Sequence, residues 1–285
     1  MIQDISPYKL VNTWKDEKIT PEDSVLVFSD SKVLCRLQND DLIFPQAKDF
    51  SSENSFTYLF TVKDDKKFNR RYFLLQNFEN SKTTGTAFDE FEFTEVRQIK
   101  DTEIDHMYKV FVTMTAKHLN DWYRDNQFCG RCGKKTVHSS TERAMMCPEC
   151  GYTVYPRIMP AVIVGILNGE KILLTKYNRK GYTNYALVAG FAEIGETLEQ
   201  TVEREVMEET GLKVKNIRYY KSQPWGLAND ILVGYYCDVD GDTTIHMDQN
   251  ELKLAEWVER KDVILQPTKV SMTNEMMMKF KNGEI

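Results

Sequence analysis

No stretch of the 285-residue chain approaches the ~20 consecutive apolar residues that a membrane-spanning helix needs. Its start, MIQDISPYKL, also lacks a basic region followed by a long apolar core. The expectations are no membrane partner and a cytoplasmic location. An excess of positive charge is missing too: 37 Lys and Arg stand against 43 Asp and Glu, a formal net charge of −6. Nonspecific affinity for DNA or RNA comes mostly from cations neutralising phosphates, so a sequence-blind nucleic-acid binder is disfavoured. Cysteine is sparse, six in all, and four fall in two tight pairs, Cys129 with Cys132 and Cys147 with Cys150. Cys35 and Cys237 stand alone, and this spacing favours a metal over three disulfides. What is present, 41% hydrophobic and 12% aromatic residues, suffices for the cores of a folded chain with room for two domains.

From Ser24 to Val96 short β-branched and aromatic runs (SVLVF, KVLCRL, FTYLFTV, RYFLL, FDEFEFTEV) alternate with the polar turns DD, KDDKK and NSKTTGT. These are strand signals. Ile104, Met107, Tyr108, Phe111, Leu119 and Trp122 then recur at helical spacings and predict an amphipathic helix leading to the first cysteine pair. An N-terminal α+β domain is expected over 1–125 and a ribbon over 126–157. Beyond Pro160, AVIVGIL and KILLTKY flank Asn168 and Gly169 and read as a hairpin that opens a domain over 158–285. LKVKNIRYY, ILVGYYCDV and LAEWV are further strands, and SMTNEMMMKF a last helix whose methionines fill the core.

The ribbon segment has C-x2-C, fourteen residues and C-x2-C. Four thiolates so spaced can surround one Zn2+ tetrahedrally on two knuckles, with Gly130, Gly133 and Gly151 relieving backbone crowding. A closed four-sulfur site leaves no position for water, so one structural Zn2+ per chain is expected. His138 is not needed as a ligand and reads as a surface residue.

The run AGFAEIGETLEQTVEREVMEETGL, Ala189 to Leu212, carries the chemistry. Thr197 with Gln200 resembles a capping box, so a helix should start near Leu198 and end at Gly211, with Leu198, Val202 and Val206 as its buried stripe. At about 100° per residue, Glu205, Glu208 and Glu209 share a sector roughly 100° wide beside that stripe. Three carboxylates so placed repel one another, and hard oxygen donors suit Mg2+ or Mn2+. Against a merely solvated acidic face stands the pattern itself, G-x5-E-x7-R-E-U-x-E-E-x-G-U with U aliphatic. It runs through Gly190, Glu196, Arg204, Glu205, Val206, Glu208, Glu209, Gly211 and Leu212. Its seven fixed positions would coincide by chance about once in a million chains of this length.

This pattern resembles the signature of the Nudix hydrolases. The four-cysteine ribbon before it and SQPW (Ser222 to Trp225) after it resemble the NADH pyrophosphatase (NAD+ diphosphatase) family, closely over the last 160 residues and by architecture before them. The resemblance implies an α+β protein: an N-terminal β-rich α+β domain, a zinc ribbon and a Nudix α/β/α sandwich with a mixed sheet. It implies catalytic Mg2+ or Mn2+ held by Glu205, Glu209, Glu251 and the Ala189 carbonyl. Glu208 would bind metal or polarise water, with proton removal assigned to Glu205, Glu208 and Glu209 as a group. Gly190, Glu196, Arg204 and Gly211 would be structural. Glu142, Tyr155, Phe191, Gln223, Pro224 and Trp225 match positions near substrate, and a homodimer is implied. The implied reaction converts NADH or NAD+ to nicotinamide mononucleotide and AMP. Because Gly226, Leu227, Ala228 and Asp230 replace residues of the family's SQPWPFPxS, other readings stand beside it: another dinucleotide or nucleotide conjugate, the NAD cap of an RNA, or a noncatalytic sensor or nucleic-acid binder. Asp230 in place of Ser is expected to add negative charge there.

Overall fold

The structure, a computed structural model, describes residues 1–51, 53–76, 78, 89–99, 106–179, 183–268 and 270–285. The chain packs as two compact units: Ile2–Arg157 with Gly226–Asn229, and Ile158–Trp225 with Asp230–Ile285 and Met1. No described helix is long and apolar enough to cross a membrane.

Among the described residues the first unit begins with eight strands: β1 (Lys9–Val11), β2 (Ser24–Leu26), β3 (Phe28–Ser29), β4 (Lys32–Gln38), β5 (Asp41–Ile43), β6 (Phe56–Lys63), β7 (Asn69–Leu75) and β8 (Glu92–Glu95). They form two four-stranded sheets, one ordered β1-β6-β7-β2, the other β3-β4-β5 with β8 also on β4. The β-branched and aromatic runs supply these strands because alternate residues such as Val25, Val27 and Leu34 pack into a core with Phe50 and Leu75. Phe88, the first residue of the last run, and the turn NSKTTGT lie outside the described residues. Two helices follow, α1 (Val96–Ile99) and α2 (Tyr108–Asp125). Tyr108, Phe111, Leu119 and Trp122 of the helical pattern are buried in α2, Met107 is its N-cap, and Ile104 lies outside the described residues. The ribbon adds β9 (Val137–His138), β10 (Met145–Met146) and β11 (Thr153–Val154), ordered β11-β10-β9.

In the second unit, β12 (Met159–Asn168), β13 (Lys171–Tyr177), β14 (Val188–Phe191), β15 (Val214–Trp225), β16 (Asp230–Val239) and β17 (Leu252–Glu259) form one sheet, ordered β15-β16-β12-β13-β17, with β14 also on β12. β12 and β16 are parallel and the remaining pairs antiparallel, so the sheet is mixed. Because side chains alternate across a strand, Val162, Val164 and Ile166 face one side and Ile163 and Leu167 the other. On the first side lies α3 (Leu198–Thr210), with Val202 and Val206 buried. On the second lies α4 (Met272–Lys281), whose Met272, Met276, Met277 and Phe280 complete that core. Two apolar layers around one sheet make the α/β/α sandwich.

The expected β12–β13 hairpin is present and short, with the ladder pairs Leu167 with Ile172 and Asn168 with Lys171, because β14 takes Ala161–Val164 of β12. SQPW forms the end of β15, and Pro224 is tolerated there because β15 is an edge strand.

α3 begins as its sequence requires: Thr197 Oγ1 accepts the Gln200 N–H at 3.2 Å, and Gln200 Oε1 accepts the Thr197 N–H at 2.8 Å. Gly211 ends it in the left-handed conformation, φ 70°. Replacing Thr197 by Ala should cost about 1 kcal/mol. Urea denaturation followed on the unit that contains α3 checks this, and an unchanged midpoint would count against the cap.

Candidate active site

Glycine at 190 is dictated by Glu205. A Cβ there would fall 1.9 Å from Glu205 Cδ, so the carboxylate occupies the space a side chain would take. Gly190 lies on β14 opposite Val162, which sets the α3 carboxylates against the sheet next to Ala189.

Arg204 organises what surrounds it. Its Nε and Nη2 donate to Glu196 Oε1 and Oε2 at 2.7 and 3.0 Å, a bidentate pair joining the loop before α3 to the helix. Nη2 also donates to the Phe191 carbonyl at 2.9 Å, and Nη1 to Glu205 Oε1 at 2.7 Å and Glu208 Oε2 at 3.0 Å. Glu196 accepts the Glu193 N–H and the Thr201 hydroxyl as well. The Arg204 hydrogen bonds, followed by the Glu193 amide, hold the Glu196 carboxyl down at about 2. Thr201, which no motif marked, is part of this latch.

The two carboxylates nearest the sheet are in the opposite condition. Glu209 is 2% exposed, and neither of its oxygens has a hydrogen-bond partner of good length and angle. Burial first, then the charges of Glu251 and Glu205, push its carboxyl up to about 8, against a weaker opposing effect of the Ala189 amide. Burial also raises Glu205, with Arg204 opposing. Glu208, by contrast, has a side chain 59% exposed.

Glu251 and Asp248 come from the segment between β16 and β17, which is stitched in place by its backbone. The His246 N–H donates to the Thr210 carbonyl at 2.8 Å and the Asp248 N–H to the Glu209 carbonyl at 3.0 Å. On its other flank Asn178 donates through N–H to the Glu251 carbonyl at 2.7 Å and through Nδ2 to the Gln249 carbonyl at 3.1 Å. Asp248 and Asn178 carry no sequence signal, since their roles arise only from these tertiary contacts. The carboxylate oxygens are not drawn to a single point: among the described residues, only the four cysteines bring three or more candidate ligand atoms within 4.8 Å of one another. Even so, a buried carboxylate with two unpartnered oxygens beside further carboxylates is a donor set that fits a hard divalent cation.

In the ribbon, Cys129 Sγ lies 3.6 Å from Cys150 Sγ and Cys132 Sγ 3.5 Å from Cys147 Sγ. Four sulfurs about 2.3 Å from one zinc would stand about 3.8 Å apart, so the four fit that ion. Gly133 and Gly151 close the two knuckles at φ 73° and 70° with their N–H groups on the Cys129 and Cys147 carbonyls. Gly130 is not in the left-handed region, which corrects the role expected of it. His138 is exposed and stacks on Tyr123 at 5.0 Å.

The residues matched to substrate positions divide. Phe191 and Pro224 are exposed and Trp225 half-buried. In the other unit the exposed Tyr155 donates its hydroxyl to Glu142 Oε1 at 3.0 Å. Gln223 is 0% exposed: Nε2 donates to the Val270 carbonyl at 2.7 Å, and Oε1 accepts the Met272 N–H at 2.8 Å. Its amide therefore ties β15 to the start of α4 rather than facing a ligand. Asp230 is likewise 4% exposed with Oδ1 unpartnered, and burial pushes its carboxyl up to about 7. The full surface charge expected from this residue is corrected accordingly.

Residues 157–280 match the NUDIX domain, so the chain carries a Nudix domain with its signature helix, α3, on one face of the sheet. Residues 124–155 match the NADH pyrophosphatase zinc ribbon domain. A protein named NAD-capped RNA hydrolase NudC from Pectobacterium atrosepticum is 41% identical over 166 residues, 58% of this chain and 62% of its own. Its namesake from Haemophilus influenzae is 38% identical over 173 residues, 59% of this chain and 64% of its own. The matches thus span less than two thirds of either relative. Among solved structures, a NUDIX hydrolase from Nitrosomonas europaea matches 55% of this chain and 92% of its own, at 19% identity and a TM-score of 0.48.

The buried Asp230 yields a pH prediction. Its folded value of about 7 exceeds the ordinary 3.8, so the folded state keeps a proton that the unfolded chain releases. Stability should fall as pH rises from about 3.8 through about 7. Asp230→Asn should therefore raise the melting temperature more at pH 8 than at pH 5; an equal shift at both would show that burial does not control this carboxyl.

Proposed function

We propose that this chain is a metal-dependent pyrophosphatase that hydrolyses the diphosphate of NADH or NAD+ to nicotinamide mononucleotide and AMP. The observation that carries this reading is the buried, unpartnered Glu209 carboxylate beside Glu205 and Glu251, in a Nudix domain joined to an NADH pyrophosphatase zinc ribbon. Water oxygen bonds to one phosphorus as the bridging P–O bond breaks, and the two products leave as phosphate monoesters.

Glu205, Glu209, Glu251 and the Ala189 carbonyl would hold Mg2+ or Mn2+. When bound, these ions neutralise the diphosphate and lower the pKa of the attacking water. The chain's residues do the rest. Arg204 orients Glu205 and Glu208 while its bond to the Phe191 carbonyl fixes the loop. Proton removal from the water is assigned to Glu205, Glu208 and Glu209 as a group, of which Glu208 is the exposed member. Phe191, Trp225, Tyr155 and Glu142 are assigned to nucleotide recognition, for which exposed aromatic faces suit flat bases. The four cysteines hold one structural Zn2+. A three-part division at 125 and 157, a homodimer and a cytoplasmic setting complete the reading.

A second substrate, the NAD cap of an RNA, is favoured by the name of the relatives, and it presents the same diphosphate to the same residues.

Incubation with NADH, NAD+, ADP-ribose, diadenosine polyphosphates and NAD-capped RNA in Mg2+ or Mn2+, with products separated by chromatography, decides among substrates. Turnover of another compound with no AMP and nicotinamide mononucleotide from NADH or NAD+ would sink the assignment. Glu209→Gln should lower turnover about a hundredfold or more. Its melting temperature without added divalent metal should hold or rise, because the change removes a buried carboxyl among like charges. Wild-type turnover in this variant would refute its metal role.

A further inference from the structure

The hairpin between β15 and β16 turns on four residues, Gly226–Asn229, with Trp225 and Asp230 as its closing pair. Those four residues cluster with the first unit, and Gly226 stands against α2. Gly226 is buried, and a Cβ built on it would stand 2.0 Å from the Met114 carbonyl oxygen, 2.7 Å from its carbon and 3.4 Å from His118 Cβ. The backbone at Gly226 is not in the left-handed region, so glycine is required there for space and not for conformation.

The obstacle is rigid. Met114 lies inside α2, where its carbonyl belongs to the helical hydrogen-bond ladder and cannot swing aside as a side-chain end would. One turn further on, His118 Nε2 sits 2.7 Å from the Arg157 carbonyl, which restrains the same stretch of α2. At its other end the turn is closed by Asn229 at φ 59°. The Pro that SQPWPFPxS places at 226 would meet the Met114 carbonyl in this seating, so the departure from that pattern has a steric cause.

We propose that Gly226 is a positioning residue: its contact with the Met114 carbonyl sets the place of the turn, and through the chain the place of Trp225, which governs substrate affinity. This rests on the reading above that Trp225 lies near the nucleotide. A Cβ at 226 must push the turn off α2, displacing Trp225 and opening the closing pair with the buried Asp230.

The test is Gly226→Ala in the full chain, with hydrogen exchange of the peptide spanning 222–232 and steady-state kinetics on NADH. The variant should exchange faster in that peptide and raise KM about tenfold, with kcat within about twofold of wild type. Asn229→Val strains the turn from its other end, where the backbone is left-handed, and should raise KM in the same way should Gly226→Ala not fold. Unchanged KM in a folded variant whose peptide exchanges faster overturns the proposal, as does unchanged exchange. Should the wild type not hydrolyse NADH, the proposed function has failed by itself, and the same comparison is made on the compound of the panel that it does turn over.

Discussion

A single guanidinium, that of Arg204, sets the order of the candidate active site. It faces three carboxylates and a main-chain carbonyl at hydrogen-bonding distance, on a helix whose exposed side would otherwise present only like charges. Without it, the end of β14 at Phe191 would lose its tie to α3, and Glu205 and Glu208 would repel each other with no cation between them. The segment can carry so many glutamates because one arginine separates a latched one, Glu196 in the loop before α3, from a working set on the helix.

The working set lives with a second constraint, burial. Glu209 sits where a carboxylate is costly, and neither oxygen has a hydrogen-bond partner of good length and angle, the weak effect of the Ala189 amide being outweighed by burial. Natural folds place such a group only where something else offsets it. The backbone of the 246–251 segment, held to α3 by two amides and to Asn178 by two more hydrogen bonds, keeps this strained arrangement from relaxing. Rigidity of that segment and discomfort of that carboxylate belong together.

Much of this was legible in the sequence, and the rest was hidden for definable reasons. The capping box, the glycine stop and the Val202–Val206 stripe of α3 are local features, fixed by side chains within one or two turns of one another. The cysteine spacing is equally local, and the four sulfurs do converge. Gly190 was visible as a motif position, but its cause, the Glu205 carboxylate, is a contact between strand and helix. Gln223 stood inside a recognisable tetrapeptide, and nothing along the chain reveals that its amide is consumed by Val270 and Met272 some fifty residues later. Asp230 looked like a surface charge for the same reason: polarity is written in the sequence, whereas burial is written in the fold.

The latch between Arg204 and Glu196 also bears on how salt would act. This pair is bidentate, with side chains 26% and 20% exposed, so mobile ions come between its members less readily. The arm from the same guanidinium to Glu208 reaches a mostly exposed carboxylate, where screening is effective. Rising ionic strength would therefore loosen Glu208 before it loosens the loop, so that one arginine answers to its medium more on one side than on the other.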